Sequence, residues 1–311
     1  MTDLLTHGQL HLLTQTLRAE PAQLADLTRL GADDLRALRE RLSSLLFDAD
    51  EPVFARLSKL APLVPNALLV KIAVAVVPPE VAGRAGGSLG LAHPDRIADV
   101  LTALPAPYLA DSAPHMDPRT VAALAPRLTG AMLIPTAVEL LRRQNYPTAG
   151  RFVEFATDAL VDDLEQGIAD DIGLLRTVAI IPDAGRLDAV VRRLPIARCE
   201  TIIRAAAPAT DETLPATLSV LARLGDDLRA HLATTLIDSL DADQLRGFVS
   251  AAVDHGALAE LFTVLAATGP ERRDRVAELL ESAPELATAL TDAAAAADLR
   301  GSLDELRALR S

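Results

Sequence analysis

Apolar residues recur along this chain with the spacing of helix faces. Leu35, Leu38, Leu42 and Leu45 fall at i, i+3, i+7 and i+10, one stripe on a helix of 3.6 residues per turn. Ile97, Val100, Leu101 and Leu104 stand at i, i+3, i+4 and i+7. Leu187, Val190, Val191 and Leu194 repeat that spacing, as do Leu258, Leu261, Phe262 and Leu265. No stretch keeps a two-residue alternation of β-branched residues between hairpin turns, so sheet is expected to be negligible. Prolines cut the stripes at short intervals, among them Pro94, Pro105, Pro118, Pro147, Pro182, Pro195, Pro215 and Pro270. Many stand where a first helical turn would begin, a position at which the missing N–H costs nothing. Asp117-Pro118 and Asp211-Glu212 read as helix starts, with a carboxylate accepting from the free amides of the first turn. The intervals leave helices of about 9–15 residues. Together these features predict an all-α protein, a superhelical stack (α-solenoid) of short helices rather than a simple bundle.

The chain also resembles itself. Arg96-Ile-Ala-Asp-Val-Leu-Thr-Ala-Leu-Pro105 is similar to Arg186-Leu-Asp-Ala-Val-Val-Arg-Arg-Leu-Pro195 and to Arg275-Val-Ala-Glu-Leu-Leu-Glu-Ser-Ala-Pro284, at intervals of about 90 residues. Phe152-Val153 matches Phe248-Val249, and Ala113-Pro114 with Asp117 matches Ala207-Pro208 with Asp211, in the same order. The expected organisation is an N-terminal helical region (1–80), a Gly-rich junction (81–92), two helical repeats (93–181 and 183–270), and a partial repeat with a C-terminal cap (271–311). The junction holds Gly83, Gly86, Gly87 and Gly90. It is either the main hinge or a helix packed closely on a neighbour.

The run His93–Leu128, with its short helices and Leu-Pro and Asp-Pro junctions, resembles the superhelical amino-terminal domain of MgtE-type magnesium transporters. It is also similar to the helical repeats of the flagellar motor switch protein FliG. That resemblance implies a right-handed stack of short helices used for docking and conformational gating. No magnesium-sensing acids of that family can be matched here residue by residue, so it carries a fold and not a metal.

Composition narrows the chemistry. Half of the chain is apolar while aromatics make up 3% and Trp is absent, so the interior must be built from Ala, Leu, Val and Ile. The mean hydropathy of +0.24 is high and leaves room for an apolar surface reserved for a ligand or partner. A net charge of −13 repels phosphate backbones, and nucleic acid is not expected as a partner. Lys59 and Lys71 are the only lysines among 30 basic residues, a bias that composition alone assigns to a GC-rich gene. A single cysteine, Cys199, excludes an intrachain disulfide. No signal peptide is recognisable, and the longest apolar run, Leu68–Val77, is too short to span a bilayer. A cytoplasmic protein with no integral membrane segment is expected.

The search for chemistry yields little. No phosphate-cradling glycine motif is present. His7 and His11 stand at i, i+4 without a third ligand. Cys199 reads as a buried core residue. The acid pairs Asp33-Asp34, Asp162-Asp163, Asp170-Asp171 and Asp226-Asp227 read as helix-start and solvated residues. No nucleophile–base set, metal set or cofactor motif can be assembled, so no cofactor and no enzymatic activity are expected. The remaining constellation lies in the first repeat: Tyr108, His115, Arg119, Tyr146 and Arg151 are the candidate ligand- or partner-binding residues. Tyr108, His115 and Tyr146 have no counterpart in the second repeat, so stacking alone does not require them. The leading expectation is an interaction scaffold or adaptor for a protein partner, with self-association compatible. The alternative is a carrier or sensor of an apolar small molecule such as a lipid, sterol or isoprenoid. Internal volume lined by Leu and Ala would favour the carrier, and a close-packed interior with an exposed apolar groove the scaffold.

Overall fold

The computed structural model describes residues 4–60, 63–208 and 213–308, and among these there is no strand. The N-terminal part comprises α1 (Leu4–Leu17), a single turn α2 (Pro21–Leu24), α3 (Gly31–Leu60), α4 (Asn66–Val76) and α5 (Pro79–Ala92). The middle follows with α6 (Pro94–Ala103), α7 (Ala106–Ser112), a 3-10 turn at Ala113–His115, α8 (Pro118–Leu124), α9 (Gly130–Arg142), α10 (Tyr146–Phe155), α11 (Asp158–Gly167) and α12 (Asp171–Ala179). Then come α13 (Ala184–Arg193), α14 (Ile196–Ala206), α15 (Leu214–Arg223), α16 (Asp226–Ser239) and α17 (Ala242–Asp254). The chain ends with α18 (Leu258–Ala266), α19 (Pro270–Ser282), α20 (Pro284–Ala296) and α21 (Arg300–Ala308).

The boundaries have local causes. Asp117, Asn145, Thr157, Asp170, Asp183 and Asp241 each accept a hydrogen bond from an amide of the turn that follows, which starts α8, α10, α11, α12, α13 and α17. The other expected start, Asp211-Glu212, lies outside the described residues. Of the acid pairs, Asp33-Asp34 and Asp226-Asp227 occupy first turns. Asp162 and Asp163 lie inside α11 instead. Asp163 caps a different helix, accepting from the Gly130 amide at 2.9 Å, and Asp162 pairs with Arg193.

Two segments depart from the short-helix pattern. α3 runs for 30 residues with Pro52 inside it. Of the two expectations for the Gly-rich junction, the helix holds: Gly83, Gly87 and Gly90 are buried along α5. Gly83 shows why glycine is needed there. A Cβ at that position would stand 2.4 Å from the Ser112 carbonyl oxygen and 2.9 Å from the His115 Cβ, closer than atoms can pack.

Helices stack on neighbours two and three places along the chain: α5 on α3, α7 and α8, α7 on α9, α9 on α11, α12 on α15, and α15 on α18. Leu187, Leu214, Leu218, Leu221, Leu236 and Phe248 are fully buried in the resulting seams. The main core runs from Ala156 to Leu303, with smaller clusters around Leu124 and around Leu13 and Leu35. α21 belongs to this core through Leu303.

Several arginines have a mechanical use in this fold that composition alone does not show. A stack of short helices exposes many C-terminal carbonyls that lack intrahelical donors. The planar fork of a guanidinium can reach two of them at once, whereas an ammonium is a single point of charge. Arg186 Nη2 donates to the Val153 and Ala156 carbonyls at the end of α10, at 3.0 and 2.5 Å. Arg223 reaches the Ala179 carbonyl at 2.7 Å and also that of Ile181, closing α12. Arg275 closes α16 through Ile237 at 2.9 Å and through Leu240. Arg198 closes α11 through the Glu165 and Ile168 carbonyls.

On the surface, arginines and one histidine hold carboxylates below their ordinary range. Arg142 and Arg143 bring Glu139 to about 2. Arg193 lowers Asp162, His231 and Arg204 lower Glu200, and Arg192 lowers Asp227. A carboxylate depressed in the folded state contributes stability above its unfolded pKa of about 4 and loses it as pH falls through the folded value. The melting temperature should therefore decline progressively from about pH 4 towards pH 2. A melting temperature constant across that range would contradict the pairing.

Candidate functional site

The contact at Gly83 lays the 3-10 turn Ala113–His115 directly on α5. A pocket of about 230 Å³ lies beside this turn, walled by α1, α3, α5 and the start of α10's buried face. Its lining joins three arginines, Arg18, Arg84 and Arg151, and the imidazole of His115 to an apolar side made of Leu17, Leu46, Phe47 and Met116.

Arg151 is the best defined of these. It is 5% exposed, and its Nη2 donates to the carbonyls of Ala113 at 2.8 Å and Met116 at 3.3 Å. Those bonds clamp the 3-10 turn to α10. Its Nε is buried and has no acceptor. Burial, with the nearby charge of Arg39, pushes its pKa down to about 10. Arg39 on α3 is 3% exposed, and its Nε and Nη1 are likewise buried without an acceptor. Its Nη2 approaches only Glu40, at 3.5 Å, and burial lowers its pKa as well. Glu154 is close enough to act on both arginines, but it is bonded to Arg36 at 2.7 Å, and burial raises its own pKa. Arg18 pairs with Glu80 at 3.1 Å. Burial lowers the His115 pKa, so its imidazole is neutral at pH 7 and offers one donor and one acceptor.

The structure brings together two of the five residues singled out from the sequence, His115 and Arg151, at this pocket. The other three serve the fold. The Tyr108 hydroxyl donates to the Val77 carbonyl at 2.9 Å and so closes the end of α4. Arg119 bonds Asp117 at 2.9 Å and Asp48 at 3.1 Å, fixing the cap of α8 against α3. Tyr146 starts α10 with the Arg176 guanidinium 4.2 Å from its ring centre, a cation–π contact. The two tyrosines thus make contacts peculiar to their own helices.

Arg18, Arg39, Arg84 and Phe47 were not anticipated. One signal for Arg39 was present in the sequence. It stands four residues after Leu35 and so falls on the apolar stripe of α3, where a charge is buried rather than solvated. Ser43 and Phe47 continue that line into the pocket wall.

Among the described residues, no three His, Cys, Asp or Glu side chains converge as a metal site would require. His7 and His11 are both exposed on α1. Cys199 is buried, and burial pushes its thiol up to about 11. No helix among the described residues is long and apolar enough to cross a membrane. No family model matches the chain, and comparison with curated proteins and with solved structures likewise yields no match. The fold and the pocket define an all-α helical stack with a small, partly cationic pocket between its N-terminal helices and the 3-10 turn.

Proposed function

We propose that this protein is a non-enzymatic binding module, a carrier or sensor that holds a small organic anion in the pocket beside Arg151. The anion is a carboxylate or phosphate on a short apolar body. One observation carries this reading: the pocket gathers Arg18, Arg84 and the buried Arg151, whose Nε has no acceptor, around one space in a chain of net charge −13, and the buried Arg39 adds positive charge beside Arg151. Like charges gathered around a small pocket repel one another, and a bound anionic group would offset that repulsion. Leu17, Leu46, Phe47 and Met116 supply the complementary apolar wall. An interaction scaffold would instead use the surface, where α4 leaves Leu68, Ile72 and Val76 exposed. The charge and size of the pocket support the small-anion reading over that one.

Thermal unfolding in the presence of phosphate, benzoate and phenyl phosphate tests the reading. Phenyl phosphate should raise the melting temperature by a few degrees when it is well above its Kd, and by more than inorganic phosphate does. Arg151→Met and Arg84→Ala should each abolish the shift, the second without touching the clamp on the 3-10 turn. No shift with any of the three anions at millimolar concentration would end this reading.

A further inference from the structure

A second cavity of about 140 Å³ lies in the middle of the stack, walled mainly by α9 to α14, and shares no residue with the cationic pocket. Its wall is apolar almost throughout, with Leu133, Leu140, Phe152, Val178 and Ile202 among its side chains. Glu165 and two threonines interrupt that wall; the Glu165 carboxylate is bonded to Arg198 at 2.9 Å, and the threonines, Thr136 on α9 and Thr177 on α12, are exposed by only 8% and 3%. Neither hydroxyl has a hydrogen-bond partner.

That is unusual within this protein. A helical threonine ordinarily satisfies itself by donating to the carbonyl four residues back. Thr102, Thr201, Thr217, Thr263 and Thr288 do so here. The other buried threonines that do not follow this pattern find a partner elsewhere: Thr120 donates to the Gly87 carbonyl, Thr148 to Gln15, and Thr268 to the Leu265 carbonyl. Thr136 and Thr177 are thus exceptions, and both line the same cavity. Nor can the gap close by drawing α10 nearer to α12. At Gly150 the two helices are already in backbone contact, where a Cβ would meet the Thr177 carbonyl oxygen at 2.8 Å.

We propose that this cavity is a binding site for a neutral molecule of one ring, or of a short branched chain, bearing a single hydroxyl or carbonyl oxygen. The size follows from comparison with apolar cavities of about 150 Å³, which stay dry and admit benzene. A sterol is too large for it. The oxygen follows from the two unpaired hydroxyls, because an apolar occupant would leave them as they are. A water molecule needs two to four polar partners; the two hydroxyls supply only the minimum, so an occupant with one oxygen has at most one bridging water to displace.

Phenol and benzene are the probes, with binding followed by calorimetry on the full chain. Phenol should bind about tenfold more tightly than benzene, the worth of one neutral hydrogen bond in a dry site. Thr136→Val with Thr177→Val keeps the shape of the wall and should erase that preference while benzene still binds. The same double variant should retain the response to phenyl phosphate, which separates this site from the cationic pocket. Ala137→Leu fills the gap and should abolish binding of both probes without lowering the melting temperature. Absence of binding by either probe, equal binding of the two in the unaltered protein, or a preference that survives in the double variant would overturn the proposal.

Discussion

Replacing Arg198 with lysine should destabilise the protein by about 2–4 kcal/mol although the charge is kept. Arg198 lies at the start of α14 with its side chain 19% exposed. One edge of its guanidinium donates to the Glu165 carbonyl and, at 2.9 Å, to the Glu165 carboxylate. The other edge reaches the Ile168 carbonyl and Asp171, the latter at 3.0 Å. A single side chain therefore closes the end of α11 and ties it to the first turn of α12. A lysine ammonium offers three donors from one atom and cannot span both edges, so at least one carbonyl and one carboxylate would be left half-buried without a donor. The control is Arg204→Lys on the same helix, where an exposed i, i+4 pair with Glu200 is worth a few tenths of a kcal/mol. Urea unfolding of the two variants separates the effects. If they behave alike, the guanidinium of Arg198 has no mechanical use in this fold.

Phe248→Ala should cost about 3–5 kcal/mol, the largest loss expected of a single truncation in this core. Phe248 is 1% exposed on α17 and belongs to the main apolar cluster. Its removal would leave a void that the surrounding stack, held by helices on several sides, can fill only in part. Phe152, which stands in a similar Phe-Val pair of the sequence, should cost clearly less when changed to alanine. It is only half-buried and already borders the apolar cavity, so fewer atomic contacts are lost with it. Equal losses at the two positions, measured by chemical denaturation, would mean that the cavity is filled by the surrounding side chains in solution.

The contrast between these phenylalanines shows where sequence reasoning reached and where it stopped. Stripes, caps and breaks depend on residues three or four positions apart, and such local rules were legible. Leu187, Val190 and Val191 are buried as their spacing requires, and so are Leu258, Leu261, Phe262 and Leu265. Asp117 caps the helix it was expected to start. Even local rules ran out where a face meets no neighbour. Leu45 completes the stripe of α3 yet is 67% exposed, because burial needs a partner as well as a pattern.

The site was legible only in fragments. His115 and Arg151 were singled out because they are polar residues near helix junctions, but the same criterion also gathered Tyr108, Arg119 and Tyr146, whose bonds go to the ends and caps of their own neighbours. What separates the two groups is which helix faces which, and that was settled by packing. The missing Cβ of Gly83 lets the 3-10 turn rest on α5, and Arg151 then clamps the turn from α10 while Arg39 stands beside it from a helix more than a hundred residues earlier. Sequence alone determined the helices, because hydrogen bonding and capping act within a turn or two of the chain. The guanidinium nitrogens buried without an acceptor, and the pocket that Arg151 borders, were decided by tertiary structure, because an acceptor is absent only with respect to everything that could have packed there.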